Sequence, residues 1–330
     1  MSGGLLQLSG IVIDLVHRID HLPASGEEVE TLDFFMAAGG GFNAMAAARR
    51  MGARVTYGGV LGEGMLAGIA LRQLAEEGII LATSRRAAID QGSCAVIVDR
   101  TGERSFISHH GAERRVDAAH LTALPASSHG FALLTGYSLY KPESAAAFVP
   151  WLAAVGRPPL LFLDPGPMVA GIPREALAPA LRRADWVSAN AREAEVLTGE
   201  GDPVEAALRL AEGRRGALVR RGADGCWLGQ DGRVRHIAGF AVDCVDSNGA
   251  GDTHDGVFIA ALLAGASAAD AALVANAAAA LSTTRPGPAT APGPAETRRL
   301  LEASGRTTAT PAFWERVQSG SHAQGKGEGQ

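Results

Sequence analysis

The stretch Val245-Asp246-Ser247-Asn248-Gly249-Ala250-Gly251-Asp252-Thr253-His254-Asp255-Gly256 sets two acids around a run of small residues, just ahead of an apolar helical stretch, Gly256 to Ala264. A short β-like run, Ala241 to Val245, leads into it. Glycines at 249 and 251 let the backbone N–H groups of Gly249, Ala250, Gly251 and Asp252 converge on one point at a helix N-terminus, where the helix dipole also favours an anion. That is a place for negative charge that develops during a reaction. A carboxylate beside a bound phosphate is costly as a mere helix cap, but it has a use as a base that takes a proton from an attacking hydroxyl. Asp252 therefore reads as the general base of a phosphoryl transfer, with an N-cap as the plainer alternative.

Asp246-Ser247-Asn248-Gly249-Ala250-Gly251-Asp252 resembles D-T-x-G-A-G-D, the signature of the ribokinase-like (PfkB) carbohydrate kinases, with Ser247 in the threonine's place. The resemblance implies ATP-dependent transfer of a phosphoryl group to a sugar-type hydroxyl. It also implies an α/β fold: a mostly parallel central sheet flanked by helices in three layers, under a small β-sheet lid. Ala38-Gly39-Gly40-Gly41-Phe42-Asn43, ahead of a helix from Ala44 to Met51, is similar to the family's G-G-x-G-x-N, with Ala38 for its first glycine. Three consecutive glycines let a ligand lie on the backbone, and an amide can donate to and accept from vicinal hydroxyls, so Gly39, Gly40, Gly41 and Asn43 join the expected substrate site.

Leu6 to Asp14 reads as a buried strand ending on an acid, and in an open α/β sheet such an acid faces the ligand crevice. The family's matching aspartate hydrogen-bonds substrate hydroxyls, the role the resemblance gives Asp14. Asn190 and Glu193 match N-x-x-E, which implies a carboxylate ordering water around Mg²⁺ and an amide meeting the nucleotide phosphates. Ala217 to Gly225 is a strand and glycine turn similar to the family's nucleotide loop, which brings in Gly222, Ala223 and Gly225. Arg220 stands where that loop has threonine, so an arginine contact replaces a hydroxyl one. Asn276, on the alanine-rich helix Ala271 to Leu281, falls where relatives pack adenine, with close helix packing as the alternative. Thr283-Thr284-Arg285-Pro286-Gly287 resembles the loop that helps form a monovalent-cation site, with Asp246 facing it; K⁺ thus joins ATP and Mg²⁺ as an implied cofactor.

The whole chain has to agree with such a site. Its 330 residues carry a formal net charge of −5 and no basic block, which leaves nucleic acid without an electrostatic footprint. No apolar run is long enough to cross a membrane, and Met1-Ser2-Gly3-Gly4 lacks the basic start of a secretory signal. Three scattered cysteines, Cys94, Cys226 and Cys244, suit reduced thiols in the cytoplasm and no cysteine metal site. Lys141 and Lys326 are the only lysines, and neither sits in G-x-x-x-x-G-K-[ST], so a P-loop is excluded.

Segments 1–14, 38–90 and 113–304 are assigned to the α/β core, 15–37 and 91–112 to the lid, and 305–330 to a polar tail, disordered from Ser319. The lid alternates apolar and polar residues and is too small to bury its own apolar face, so a lid-mediated homodimer is expected. A rival reading takes Gly62-Glu63-Gly64-Met65-Leu66-Ala67 as a dinucleotide fingerprint, with Arg85-Arg86 on a 2′-phosphate, which would make the chain an NADP oxidoreductase. The same motifs also admit a nucleoside kinase of this fold, or a relative that binds sugar or nucleotide without turnover. No lysine or arginine neighbours Asn43 in sequence, which disfavours a phosphosugar and leaves a neutral sugar or a nucleoside as substrate.

Overall fold

The computed structural model describes residues 3–82, 88–306 and 311–322. Its strands are β1 (Leu5–Gln7), β2 (Ile11–Arg18), β3 (Asp33–Gly40), β4 (Val55–Tyr57), β5 (Ile80–Leu81), β6 (Ser93–Val98), β7 (Arg104–His109), β8 (Phe131–Thr135), β9 (Leu160–Asp164), β10 (Trp186–Asn190), β11 (Gly216–Arg220), β12 (Gly225–Gln230) and β13 (Arg233–Ala238). Nine of them form one sheet in the order β13-β12-β11-β10-β9-β8-β1-β4-β5, parallel except for the antiparallel β12-β13 hairpin at one edge. The continuous apolar runs of β8 to β11 are what strands covered on both faces need. Leu5, Phe131, Leu133, Phe162, Trp186 and Leu218 enter the core on one side, and their neighbours Leu6, Ala132, Leu134, Leu163, Val187 and Val219 enter a second core on the other. Helices cover both, giving the three-layer α/β/α architecture that the signature implied.

Four strands, in the order β3-β2-β6-β7, make the separate lid sheet. Two boundaries differ from the sequence reading. Leu6 to Asp14 is not one core strand: the chain leaves the core after β1, passes Ser9 and Gly10, and begins the lid strand β2 at Ile11. Gly10 is packed so closely that an added Cβ would lie 2.4 Å from the Cβ of Glu113, which fixes the crossing point. Asp14 therefore stands in the middle of a lid strand, not at the end of a core strand. Ala38, Gly39 and Gly40 likewise end the lid strand β3, and the helix Gly41–Arg50 starts immediately after them.

Three further expectations change. Ala241 to Val245 forms no strand; it is an irregular approach held by Val245 N–H and Asp246 N–H, which both donate to Thr283 O at 2.7 and 2.9 Å. The helix behind it is Ala250–Leu263, so Gly249 is the N-cap and Asp252 lies in the first turn. The tail carries a helix, Pro311–His322, whose Phe313, Trp314 and Val317 are buried in the core. Polar composition hid that short apolar stripe, and the helix runs to His322 where disorder was expected from Ser319; the rest of the tail lies outside the described residues. The dinucleotide reading also fails: Leu66 and Ala67 N–H, at the N-terminus of the helix Met65–Glu76, donate to the Asp90 carboxylate at 3.1 and 2.8 Å. A pyrophosphate would have to displace an anion already in place. Arg85 and Arg86 lie outside the described residues.

Candidate active site

A cavity of about 900 Å³ runs between the lid and the carboxyl ends of the core strands, in the upper part of the roughly 300–1,000 Å³ range of small-molecule sites. Every candidate named from the sequence lines it except Gly39 and Asp246.

At its middle is the Ala250–Leu263 helix N-terminus. Gly249 caps it in a left-handed conformation (φ 71°), with no side chain on the first-turn amides. Ala250 N–H turns back to Ser247 O, which leaves Gly251 and Asp252 N–H at the open end of the helix. Asp252 does not cap the helix. Its Oδ2 accepts from Asn43 Nδ2 at 3.1 Å, and Oδ1 has no protein partner among the described residues. Burial pushes its pKa up to about 6, against the Asn43 hydrogen bond that holds it down. Asn43 Oδ1 in turn accepts from Ala289 N–H at 3.1 Å, so this amide positions a carboxylate as well as facing the cavity.

The lid end holds Asp14. Its side chain is buried, hydrogen-bonds nothing among the described residues, and lies so close to Gly39 that a Cβ there would fall 2.3 Å from Oδ2. Burial first, then the charge of Asp252, raise its pKa to about 7. An acceptor held without a partner in a cavity is a hydroxyl-binding group. Cys94, Phe106 and Ser108 of the lid hairpin and Tyr137 complete this end. Arg114 lines it too, so this end does contain a cationic side chain, contrary to the sequence reading around Asn43; His110 beside it is held toward its neutral form by burial and by the charge of Arg114. Arg114 donates to Tyr137 O, and its charge lies beside that of Glu113.

Toward the other end, Arg220 lies buried among acids. It donates to Asp164 Oδ2 at 3.1 Å and stands 3.8 Å from both Glu193 and Asp255. Burial alone would weaken its hold on its proton, but the carboxylates of Asp255, Asp164 and Glu193 more than offset that. Its Nη1 would lie 2.3 Å from a Cβ on Gly251, so a side chain at 251 would push the guanidinium off its place among the acids. Asn190 and Glu193 form a capping box, with Asn190 Nδ2 donating to Glu193 Oε1 at 2.7 Å. Burial raises Asp164 to about 7 and also raises Glu193. Gly222, Ala223 and Gly225 form the turn beyond, and Phe240 closes the far wall. Asn276 lines that wall, but its amide donates to Ile237 O (2.8 Å) and Ala238 O (3.2 Å), and its Oδ1 pairs with His254 Nε2 (3.1 Å). Its polar atoms are thus already engaged in holding the end of β13 to its helix.

Two acids of this cluster escape a reading of the sequence alone. Asp164 ends a buried parallel strand, the same signal that points to Asp14, and it sits at the crevice accordingly. Asp255 lies one helical turn beyond Asp252 and accepts from Ser188 Oγ at 2.6 Å.

A nine-stranded sheet with a β lid over a helix N-terminus, a buried carboxylate and a cleft of this size makes a site for a small molecule beside an anion. Residues 7–295 match the model of the pfkB family carbohydrate kinases, and the chain belongs to that family. It is 29% identical over 281 residues to the uncharacterised sugar kinase YegV of Escherichia coli, covering 83% of this chain and 86% of that one. It is 28% identical over 312 residues to the ribokinase of Haemophilus influenzae (92% and 99%). Among solved structures, Thermotoga maritima ribokinase superposes with a TM-score of 0.79 at 23% identity, over 91% of this chain and 99% of that one. Arabidopsis thaliana ribokinase, complexed with ribose and ATP, superposes with 0.75 at 24% identity (92% and 99%). The chain is a sugar kinase of the ribokinase family that uses ATP. Among the described residues, no helix is long and apolar enough to cross a membrane.

Proposed function

We propose that this kinase transfers the γ-phosphoryl group of ATP to a hydroxyl of a small neutral sugar held between Asp14 and the lid hairpin, with Asp252 as the base. The observation that carries this is the pair of buried carboxylates lining one cavity, Asp14 on the lid with no hydrogen-bond partner among the described residues and Asp252 fixed by Asn43 at the open end of a helix. A base raised to about 6 is matched to work near neutral pH, because it is mostly ionised yet still basic enough to accept a proton. The sugar hydroxyl donates to Asp252 as it attacks; Gly251 and Asp252 N–H receive the charge that gathers on the transferred group. Asp14 and the backbone of Gly39 to Gly41 hold the remaining hydroxyls. Glu113 beside Arg114 offsets the cation at this end, which supports a neutral substrate over a phosphosugar.

On the nucleotide side we assign the turn Gly222, Ala223 and Gly225 to ATP, with Asn190 and Arg220 near its phosphates. Asn276 shapes the adenine wall through its packing, its amide being occupied. Among the described residues no three acid, imidazole or thiol side chains are arranged to hold a metal ion by themselves. Mg²⁺ is commonly bound through one or two carboxylates plus the substrate's phosphates, which this site can provide: Glu193 and Asp164 lie beside Arg220 at the nucleotide end of the cavity. Mg²⁺ carried by ATP would be met through water on Glu193 and would neutralise charge on the phosphates.

We further assign the chain to the cytoplasm, in keeping with its free cysteines, and to a homodimer whose contact is the outer face of the lid. Leu15, Phe34, Met36, Ile97 and Ile107 share that face by strand register, and Phe34, Met36 and Ile107 are exposed. Val96 faces inward and is buried, so it takes no part. The test of function is ADP release from a panel of neutral sugars, phosphosugars and nucleosides at saturating Mg·ATP. Turnover with one neutral sugar well above the others is expected; turnover confined to nucleosides or phosphosugars overturns the substrate assignment.

A further inference from the structure

The motif's first acid, Asp246, does not face an open ion site. Its Oδ1 accepts from the guanidinium of Arg104, in β7 of the lid, and from Asn248 N–H at 2.8 Å. Its Oδ2 accepts from Gly287 N–H at 2.9 Å, across the loop that the resemblance linked to a monovalent cation. The two side chains are only 20% and 12% exposed, so the pair is shielded from competing water. Thr283 O, a carbonyl of the same loop, already accepts two amides. A bound cation needs a negative charge left over and oxygens with free lone pairs. Here a guanidinium has taken the charge, and amides occupy the nearest oxygens. The residues therefore do not fit the monovalent ion.

We propose that Arg104 is the resident cation of this kinase: the lid delivers a guanidinium to Asp246, fixes the loop that forms the anion hole, and makes turnover independent of K⁺. The path is short. Asp246 holds Asn248 N–H, the next residue is the N-cap Gly249, and Gly251 and Asp252 follow in the first turn. On the other side of the same loop Phe35 of β3 packs over Gly287, where a Cβ would come within 3.1 Å of its ring, so two lid strands clasp this corner. Arg104 thus acts through Asp246 as a positioning residue and touches no reacting atom. An ion from solution can be lost while the lid is shut; a guanidinium on β7 leaves only when that strand moves.

The proposal rests on the sugar-kinase reading of the site, and the two fail differently: a wrong substrate class removes turnover under every salt, whereas an error here leaves turnover and makes it depend on K⁺. The experiment is steady-state kinetics of the full chain over a KCl series at constant ionic strength, balanced with tetramethylammonium chloride, for wild type, Arg104→Ala and Arg104→Lys. Wild-type kcat is expected to stay flat within about 2-fold, and Arg104→Ala to lose about 10-fold or more in kcat, since anion-hole geometry is what it disturbs. K⁺ or free guanidinium should restore several-fold of that loss and raise the melting temperature of Arg104→Ala but not of wild type. Arg104→Lys should keep most of the activity. A wild type activated several-fold by K⁺, an Arg104→Ala variant with unchanged kcat, or a loss that neither cation rescues would overturn it. If Arg104→Ala does not fold, the wild-type salt series and Arg104→Lys decide alone.

Discussion

Replacing Asp14 by asparagine should make the empty enzyme more stable while spoiling its use. In an unfolded chain Asp14 ionises near its ordinary 3.8; in the fold, burial and the nearby charge of Asp252 raise that to about 7. Between those values the folded state binds more protons than the unfolded one, so the contribution of this group to stability falls as pH rises from about 4 to 7. At pH 8 the carboxylate is ionised in both states. Three pKa units at about 1.4 kcal/mol each set the cost near 4 kcal/mol, and with relaxation of the site a cost on the order of 2–4 kcal/mol is expected. Asparagine keeps the shape and carries no charge, so Asp14→Asn should gain most of that at pH 8. The gain should fall to under half by pH 5, where wild type already holds the proton in the fold. Urea denaturation of both proteins at the two pH values reads the difference, and sugar KM measured alongside should rise strongly because an acceptor for hydroxyls is gone. Equal stabilities at pH 8, or a variant less stable there, would refute the argument that an unpartnered carboxylate is held at this position for the ligand.

Asp252→Asn should retain binding of ATP and sugar and lose roughly 10²- to 10⁴-fold in kcat, the usual contribution of a general base; near wild-type turnover would take Asp252 out of that role. The acid limb of the wild-type kcat/KM profile should fall between about pH 6 and 7, since burial raises Asp252 to about 6 and Asp14 to about 7 in the free enzyme, and a limb below pH 5 would contradict it. Asn43→Ala removes the hydrogen bond that lowers this pKa, so its limb should move to higher pH, besides any rise in KM; an unmoved limb would mean the contact is not formed in solution. Light scattering should report a dimer that Ile97→Glu dissociates, because Ile97 shares the outer lid face, and a monomeric wild type would end the lid-contact proposal.

The parallel core was legible because strands buried on both faces must be apolar throughout, as the short runs at Phe131–Thr135 and Leu160–Asp164 are. The reacting end was legible because Gly249 to Asp252 combines residue types that few local structures need together. The path between sheets was not: Leu6 to Asp14 is apolar whether it forms one strand or two, and only the close packing of Gly10 on Glu113 separates β1 from β2. Partners distant in sequence were equally hidden. Arg220 could be placed at the cleft from its motif position, but its burial among Asp164, Glu193 and Asp255 depends on three other elements. Asp246 drew attention through its motif, while the guanidinium that occupies it lies 142 positions earlier in the chain.

The strand β3 passes into the helix Gly41–Arg50 with no linker, and that helix carries Asn43, which holds Asp252. Half of the sugar pocket is thus welded to the reaction centre: retuning Gly39 or Gly40 for a new substrate also turns the amide that sets the base. The hairpin β6-β7 reaches the loop ahead of that centre through Arg104, and it presents Cys94, Phe106 and Ser108 to the same pocket. Substrate preference can drift there without retiming the chemistry. Diversification of this scaffold for new sugars belongs on those three positions, with the welded half left as it is.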